Sequence, residues 1–386
     1  MRTGIATIPL DYGKCPPWLF QRMKKLSRSI FIVIREYFGA DEILKRFSDP
    51  AWFQAMGSVL GFDWNSSGLT TTTLGAIKLG LFDIQDEIGI YICGGKGKTS
   101  RKTPDEIKTY GLSRGFEFTP YLIFASKMAA KVDSTLLQDG YQIYHHNFLF
   151  SKSGKWIVIQ QGMNGFSQSA RRYHWIGDFK KDFIEEPHSG IAAQQRARCL
   201  NLTSKKSEKN REISLEILRG NFRSIEKDLN LISKKLTDIS NIKKIILPGD
   251  EVELTKPYDL GLFKFIPQKH KEFQFSTPYL KRTIFDLILK KPKNFINVLS
   301  QKGVGPKTIR ALSLVGELIY GAKPSYKDPA RYSFAHGGKD GIPFPVDLDV
   351  YDETIDLMEK GIKKSTLSLS EKNKAFSRLE KSFGRK

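Results

Sequence analysis

The most regular hydrophobic pattern of the chain predicts a pair of β-strands between residues 142 and 161. Gln142–Phe150 (QIYHHNFLF) and Lys155–Gln161 (KWIVIQQ) are rich in β-branched and aromatic residues, and the polar tetrapeptide SKSG joins them. Side chains of a strand point alternately to its two faces. The pattern therefore predicts a β-hairpin in which His145 and His146 face opposite ways.

Apolar positions with helical spacing surround this hairpin. They predict helices at 18–38, 41–60 (broken at Pro50), 211–239, 280–289 and 350–363. Residues 61–73, rich in Gly, Ser, Asn and Thr, predict a loop, and the polar residues 201–210 predict a linker. We therefore expect an α+β (or α/β) domain over residues 1–200, whose sheet contains the hairpin, and an all-α domain over 211–386.

Residues 301–311 (QKGVGPKTIRA) have the pattern of a helix-hairpin-helix, which would span 292–320 of the all-α domain. The two glycines permit positive φ, and Pro306 suits a first helical position. Exposed amides at the start of the second helix, with a lysine beside them, suit a phosphate. The pattern predicts sequence-independent binding of the DNA backbone by Gly303, Val304, Gly305, Lys307 and Thr308. An ordinary tight turn between two helices is the alternative.

The charge of the chain supports a polyanionic partner. Lys and Arg number 62 against 41 Asp and Glu, a net charge of +21, which attracts and steers nucleic acids. The three cysteines, Cys15, Cys93 and Cys199, are far apart, so neither a disulfide framework nor a zinc ribbon is expected. No early apolar run is long enough for a signal peptide or a membrane span. We expect a cytoplasmic protein with DNA as its partner and no membrane contact.

A second basic segment follows the strand expected at 87–93. Gly94–Lys98 (GGKGK) precedes Thr103–Glu106, which has the spacing of a helix capping box. The segment lacks the spacing of a Walker loop. We predict that its cations contact a DNA or RNA backbone; nucleotide binding and a flexible basic loop are the alternatives. These cations are Lys96, Lys98, Arg101 and Lys102.

Polar and aromatic residues are concentrated between 145 and 175. Such groups can read or stack a flipped base, while Arg171 and Arg172 can hold phosphates. The predicted base-reading residues are His145, Gln160, Gln161, Asn164, Tyr173, His174 and Trp175. His146 lies among aromatic residues and is expected to pack in the core. A metal site formed by His145 or His146 with His174 or His188 is not predicted, because no carboxylate or cysteine has matching spacing.

Four segments resemble an uncharacterised prokaryotic family, a domain of unknown function. They are RTGIATIPL (2–10), PPWLFQRM (16–23), HHNFLFSKSGKWIVIQQGMN (145–164) and RRYHW (171–175). The resemblance covers most of the chain. It implies no activity.

The C-terminal part resembles helix-hairpin-helix base-excision DNA glycosylases. GVGPKT (303–308) and the Gly/Pro-rich GIPFPVDLDVYDETI (341–355) match their hairpin, loop and aspartate. The resemblance implies that Lys307 attacks the sugar C1′ and that Asp347, or else Asp349, stabilises oxocarbenium charge. A lysine that only neutralises phosphate and an aspartate that only caps a helix are the alternatives.

The function expected is therefore DNA binding in repair, most concretely as a DNA glycosylase, with or without AP lyase activity, that needs no cofactor. One alternative is a DNA nuclease that depends on Mg²⁺ or Mn²⁺, in which the N-terminal domain cuts and the hairpin only grips. Another is a DNA-binding protein without catalytic activity.

Overall fold

In the computed structural model of the chain, a five-stranded antiparallel sheet lies between two helical layers. Its strands are β1 (Ile90–Lys96), β3 (Gln142–Ser151), β4 (Trp156–Asn164), β5 (Ser169–Gly177) and β6 (His188–Ala193), in that spatial order. A separate antiparallel pair is formed by β2 (Leu137–Gln138) and β7 (Leu200–Asn201). The structure describes residues 15–62, 67–165, 167–193, 199–232, 277–330 and 348–383.

The predicted hairpin is confirmed as β3 and β4. Phe148 pairs with Val158 and His146 with Gln160, which fixes the faces of both strands. Leu149, Ile157 and Ile159 point to one helical layer, whereas Phe148, Trp156 and Val158 point to the other. Both faces of the sheet are therefore covered, so polar residues on these strands are buried along with the apolar ones.

The first layer combines the two ends of the described chain. Its helices are α1 (Pro17–Phe38), α2 (Ala40–Phe47), α3 (Pro50–Val59), α4 (Ser67–Leu81), α5 (Gln85–Ile88), α13 (Leu348–Lys364) and α14 (Leu369–Phe383). The break predicted at Pro50 separates α2 from α3, where the side chain of Asp49 accepts a hydrogen bond from the amide of Ala51 at 2.7 Å. Ile362 and Leu379 pack in the same core as Ile30.

The second layer lies on the opposite face of the sheet. It contains α6 (Thr103–Ser113), α7 (Thr119–Thr135), α8 (Glu208–Arg219), α9 (222–232), α10 (Pro278–Lys290), α11 (Phe295–Ser300) and α12 (Pro306–Leu318). Trp156 and Trp175 of the sheet share one hydrophobic core with Leu312 and Val315 of α12.

The polar segment 201–210 is folded. It contains the end of β7, a 3₁₀ turn (Lys205–Ser207) and the start of α8. Asn210 is fully buried, and its amide nitrogen donates to the carbonyl oxygens of Ser313 at 3.0 Å and Ala322 at 2.6 Å. Residues on both sides of the segment thus share buried contacts, and the division into two domains stays a prediction.

The loop predicted at 61–73 is wrong from residue 67 onwards, where α4 begins. Thr70 and Thr73 are buried on this helix, and the hydroxyl of Thr70 donates to the side chain of Gln161 at 2.5 Å. A threonine can be accommodated in a helix when its hydroxyl finds an acceptor. Contacts with the sheet therefore outweigh the local preference of these residues for loops.

No helix in the described part of the chain is long and apolar enough to cross a membrane.

Candidate nucleic-acid interface

The segment 301–305 makes a tight turn between α11 and α12. Gly303 has φ of +89°, a conformation that glycine adopts without strain. The amide of Val304 donates to the carbonyl oxygen of Gln301 at 3.4 Å, and its side chain is buried in the core of the second layer. Pro306 opens α12. Gly303 therefore has the positive φ that its residue type permits, and Pro306 occupies the predicted first helical position, whereas Gly305 is extended, with φ of −145°.

Helix α7 and β2 hold this turn in place from outside. The ammonium group of Lys131 donates to the carbonyl oxygen of Val304. The side chain of Gln138 donates to the carbonyl oxygen of Pro306 at 3.0 Å and accepts from Nε of Arg310 at 2.7 Å. Burial lowers the pKa of Lys131. No local pattern predicts these contacts, because they join residues separated by more than 160 positions.

The start of α12 offers donors to a ligand. Pro306 has no N–H, so the amides of Lys307 and Thr308 are first-turn donors without an intrahelical acceptor. The described residues offer them no other acceptor. The side chains of Lys302 and Lys307 are exposed, whereas those of Val304 and Thr308 are buried. The turn therefore presents two lysines and backbone amides, but not the side chains of Val304 or Thr308.

The positive charge at this turn has no neutralising partner among the described residues. No carboxylate of the described residues forms a salt bridge with Lys302 or Lys307. Lys127 is also exposed, one helical turn before Lys131 on α7. We refer to Lys127, Lys302, Lys307 and the first amides of α12 as the hairpin surface.

The predicted partner of Lys307 lies outside the described residues. Asp347 precedes the first described residue of α13, and the side chain of Asp349 is not described. The Gly/Pro-rich loop at 341–347 lies outside them too. The pairing of Lys307 with Asp347 therefore stays a prediction.

The second basic segment is more regular than expected. Gly94 and Gly95 belong to strand β1 and pair with Asn147 and His146 of β3. Gly97–Lys102 then forms a 3₁₀ helix that leads into α6. Its predicted DNA-contacting cations, Lys96, Lys98, Arg101 and Lys102, are all exposed. A basic patch thus lies at the β1 edge of the sheet, and its contact with nucleic acid stays a prediction.

The capping box predicted at Thr103–Glu106 is wrong. The hydroxyl of Thr103 donates to the carbonyl oxygen of Ser100 at 2.7 Å, and no side chain caps the helix. Glu106 instead accepts from the amide of Gly94 at 2.7 Å and from the ammonium of Lys78 at 2.6 Å. The carboxylate of Glu106 thus holds Gly94 in place at the end of β1, and the glycines of the basic segment form part of the sheet.

Most of the predicted base-reading residues are buried between the sheet and the helical layers that cover its two faces. Asn164 is half-buried at the end of β4. The others are at most 1% exposed, namely His145, Gln160, Gln161, Tyr173, His174 and Trp175. Burial lowers the pKa of His145 to about 3 and that of His174 well below its ordinary value. Both imidazoles are therefore neutral at pH 7, and in this conformation none of the six reaches a base.

Two of these residues, Gln160 and Trp175, form hydrogen bonds with Asp133 of α7, and His146 is joined to Asp133 through Gln160. The carboxylate of Asp133 accepts from Gln160 at 2.5 Å and from the indole of Trp175 at 2.9 Å. His146 is bonded to Gln160 through Nδ1 at 2.8 Å and to Ser126 through Nε2 at 2.9 Å. The expected role of His146 as a satisfied core residue agrees with these contacts.

Arg171 and Arg172 point to opposite faces of β5, and both are buried. Arg171 forms ion pairs with Asp139 at 2.8 Å and Asp328 at 2.7 Å. Burial opposes its charge, but these two carboxylates raise the pKa of Arg171 well above its ordinary value. Tyr173 donates to the same oxygen of Asp139 at 2.7 Å. Arg171 therefore joins the sheet to the segment at 328 and is not available to a phosphate.

Arg172 has only neutral partners among the described residues. Its guanidinium donates to His174 at 2.9 Å and to the side-chain oxygen of Gln54 at 3.0 Å, and it lies 4.6 Å from the ring centroid of Phe53. Burial lowers its pKa to about 9. This arginine anchors α3 to the sheet and, like Arg171, does not reach the surface.

No metal centre is formed by the described part of the chain, where no three His, Cys, Asp or Glu side chains converge. A metal-dependent nuclease would need carboxylates beside a strand, and Asp86 and Glu87 precede β1. Asp86 is paired with Arg114 at 2.5 Å, and this hydrogen bond lowers the pKa of Asp86 to about 2. That carboxylate is therefore part of a surface ion pair.

Fold and surface together define a mixed α/β protein with an antiparallel sheet and a basic turn at the start of one helix. The chain belongs to the family described as protein of unknown function (DUF763), whose model matches residues 4–346. This confirms the resemblance to an uncharacterised family over most of the chain. No curated protein and no solved structure matches the chain.

Proposed function

We propose that the protein binds the phosphate backbone of duplex DNA through a helix-hairpin-helix formed by α11, α12 and the turn between them. The observation that carries this proposal is the start of α12, where free first-turn amides lie beside the exposed Lys302 and Lys307. Amides at a helix start and adjacent cations are the groups that bind phosphate in proteins. A net charge of +21 favours the same partner.

Binding of this kind is independent of sequence. Lysines and backbone amides contact phosphates, which carry no base identity, whereas the polar residues that could read a base edge are buried. Lys131 and Gln138 fix the turn from outside, so its amides are already oriented before a ligand arrives. Pre-organised donors lose little conformational entropy on binding.

A repair role is the more specific form of this proposal. In it, Lys307 would attack the sugar and the protein would remove a damaged base, with a DNA nuclease as the alternative. A duplex carrying damaged bases, incubated with the protein in EDTA and then treated with borohydride, separates the cases. A covalent adduct that disappears in Lys307→Ala supports the lyase. Strand cleavage that needs added Mg²⁺ or Mn²⁺ contradicts the lyase and supports the nuclease.

Removing both lysines of the turn is expected to weaken DNA binding. We expect the double variant Lys302→Ala/Lys307→Ala to bind a 20-base-pair duplex roughly tenfold less tightly at 0.1 M salt, because two phosphate contacts are lost. The loss should be equal for duplexes of unrelated sequence. Fluorescence anisotropy of a labelled duplex measures it.

The matched control is Lys25→Ala/Lys374→Ala. It removes the same charge from exposed positions on α1 and α14, which belong to the layer across the sheet. If the two double variants lose affinity equally, only the overall charge attracts DNA and the hairpin surface is not the binding site.

A further inference from the structure

A pocket of about 550 Å³ opens on the β6 side of the second layer. This volume is within the range of small-molecule sites, roughly 300–1,000 Å³. Its walls come from β6, the segment 201–206 and the segment 325–330. None of the residues predicted from the sequence as DNA-contacting or base-reading lines it, although His188 was weighed as a metal ligand.

The pocket wall contains a histidine held by a buried carboxylate. Nε2 of His188 lies 2.5 Å from Oδ1 of Asp133 on α7. Asp133 is fully buried, while the ring of His188 packs edge-on against Trp175 with a centroid distance of 4.8 Å. The carboxylate fixes the orientation of the ring, as carboxylates hydrogen-bonded to one ring nitrogen do for functional histidines in other proteins.

This contact also determines which nitrogen is free. Because a carboxylate can only accept, Nε2 of His188 carries the proton of the neutral ring and Nδ1 keeps its lone pair. Nδ1 has no hydrogen-bond partner among the described residues. It is also not one of their fully buried polar atoms that lack a partner, so a ligand can reach it. His188, whose ring lines the pocket, therefore keeps Nδ1 as a hydrogen-bond acceptor.

The rest of the wall selects for a phosphate-bearing ligand. Three exposed lysines, Lys205, Lys206 and Lys327, line the pocket together with Thr203. Three cations around one concave site concentrate a potential that favours a compact anion. The exposed carboxylate of Glu186 lines the same pocket and can accept hydrogen bonds from sugar hydroxyls.

We propose that this pocket binds a nucleoside monophosphate. The phosphate pairs with Lys205, Lys206 and Lys327, and a hydroxyl of the ligand donates to Nδ1 of His188. The site does not depend on the hairpin surface. It is, however, joined to it through β2 and β7, because Gln138 bonds to Pro306 and pairs with Leu200, next to the pocket-lining Asn201. The same phosphate and sugar groups occur in a free nucleotide and in the terminal residue of a DNA strand, so either source can supply the ligand.

Nuclear magnetic resonance of the full chain labelled with ¹⁵N-histidine tests the proposal, with AMP and dAMP as probes. We expect either nucleotide to shift the Nδ1 signal of His188, assigned with His188→Gln, in a saturable manner at millimolar concentration or below. The buried His145 and His174 should keep their signals. Lys205→Ala/Lys327→Ala should raise the Kd at least tenfold. The control Lys209→Ala/Lys323→Ala removes two exposed lysines that do not line the pocket and should leave the Kd unchanged.

Two outcomes overturn the proposal. One is a His188 signal that does not move up to about 10 mM nucleotide. The other is an equal loss of affinity in both double variants. A duplex with 5′-phosphates distinguishes the sources of the ligand. If it shifts His188 in the wild type but not in Lys302→Ala/Lys307→Ala, while dAMP still shifts both, the pocket takes the end of bound DNA. If the duplex does not bind but dAMP still shifts the His188 signal, the proposed function fails and the nucleotide pocket does not.

Discussion

Replacing Arg171 with methionine is expected to lower the free energy of unfolding by about 3–5 kcal/mol. The arginine is fully buried between Asp139 and Asp328, whose side chains are at most 3% exposed. Without the guanidinium, two carboxylates remain in the core with no cation between them. Breaking a buried ion pair from one side is costly because the remaining charge has lost its water and its partner.

Arg172→Met is the matched control for this prediction. Arg172 is its neighbour on β5 and equally buried, but its partners among the described residues are neutral. We expect this variant to stay within about 2 kcal/mol of the wild type, because the lost hydrogen bonds are offset by removal of a desolvated charge. Urea denaturation at pH 7 measures both. Equal losses would show that the carboxylates do not depend on Arg171.

The pKa of Arg172 predicts the direction of its pH dependence. Burial lowers this pKa to about 9, so between pH 9 and the ordinary pKa of arginine the unfolded chain binds more protons than the folded one. Stability contributed by this residue therefore rises with pH across that window, and below pH 9 the cost of burying the charge is fully present. This cost is what Arg172→Met removes at pH 7.

Gly94→Ala is expected to destabilise the protein by about 3 kcal/mol or more. Gly94 has φ of +93°, and an added Cβ would overlap the carbonyl oxygen of His146 and lie 2.6 Å from Oγ1 of Thr103. Backbone strain and overpacking therefore act together. The methyl group cannot be accommodated without opening the pairing of β1 with β3.

Gly97→Ala is the control for Gly94→Ala. Gly97 also has positive φ, +60°, but nothing lies within 4 Å of the added Cβ. Only the backbone strain applies there, and we expect a loss of about 1 kcal/mol. Thermal unfolding of both variants compares them. If Gly94→Ala lowers stability no more than Gly97→Ala does, β1 is not packed against His146 and Thr103 as described.

Local sequence patterns predicted the elements that depend on local physics. The β3–β4 hairpin follows from two strand-favouring segments around SKSG, and the break between α2 and α3 follows from Pro50. The turn at Gly303 follows from the freedom of glycine at positive φ. Each of these features is decided within a few residues, so a single sequence contains the information.

Burial of the polar residues could not be predicted in this way. Alternation placed His145 and His146 on opposite faces of the sheet. It did not show that the face of His145, which Gln161 and Arg172 share in the structure, is covered. That face is covered by α2, α3 and α4, and Gln161 and Arg172 form hydrogen bonds with Thr70 of α4 and Gln54 of α3. The same limit applies to Asp133 and His188, which meet although 55 positions separate them.

The salt dependence of duplex binding tests most directly whether the hairpin surface holds the DNA backbone. The slope of log K against log[salt] counts released counterions, about 0.9 for each phosphate contact. We expect Lys302→Ala/Lys307→Ala to reduce the slope by about 1.8 relative to the wild type, and Lys25→Ala/Lys374→Ala to leave it unchanged. A slope that is the same in the hairpin variant and the wild type would contradict binding through Lys302 and Lys307.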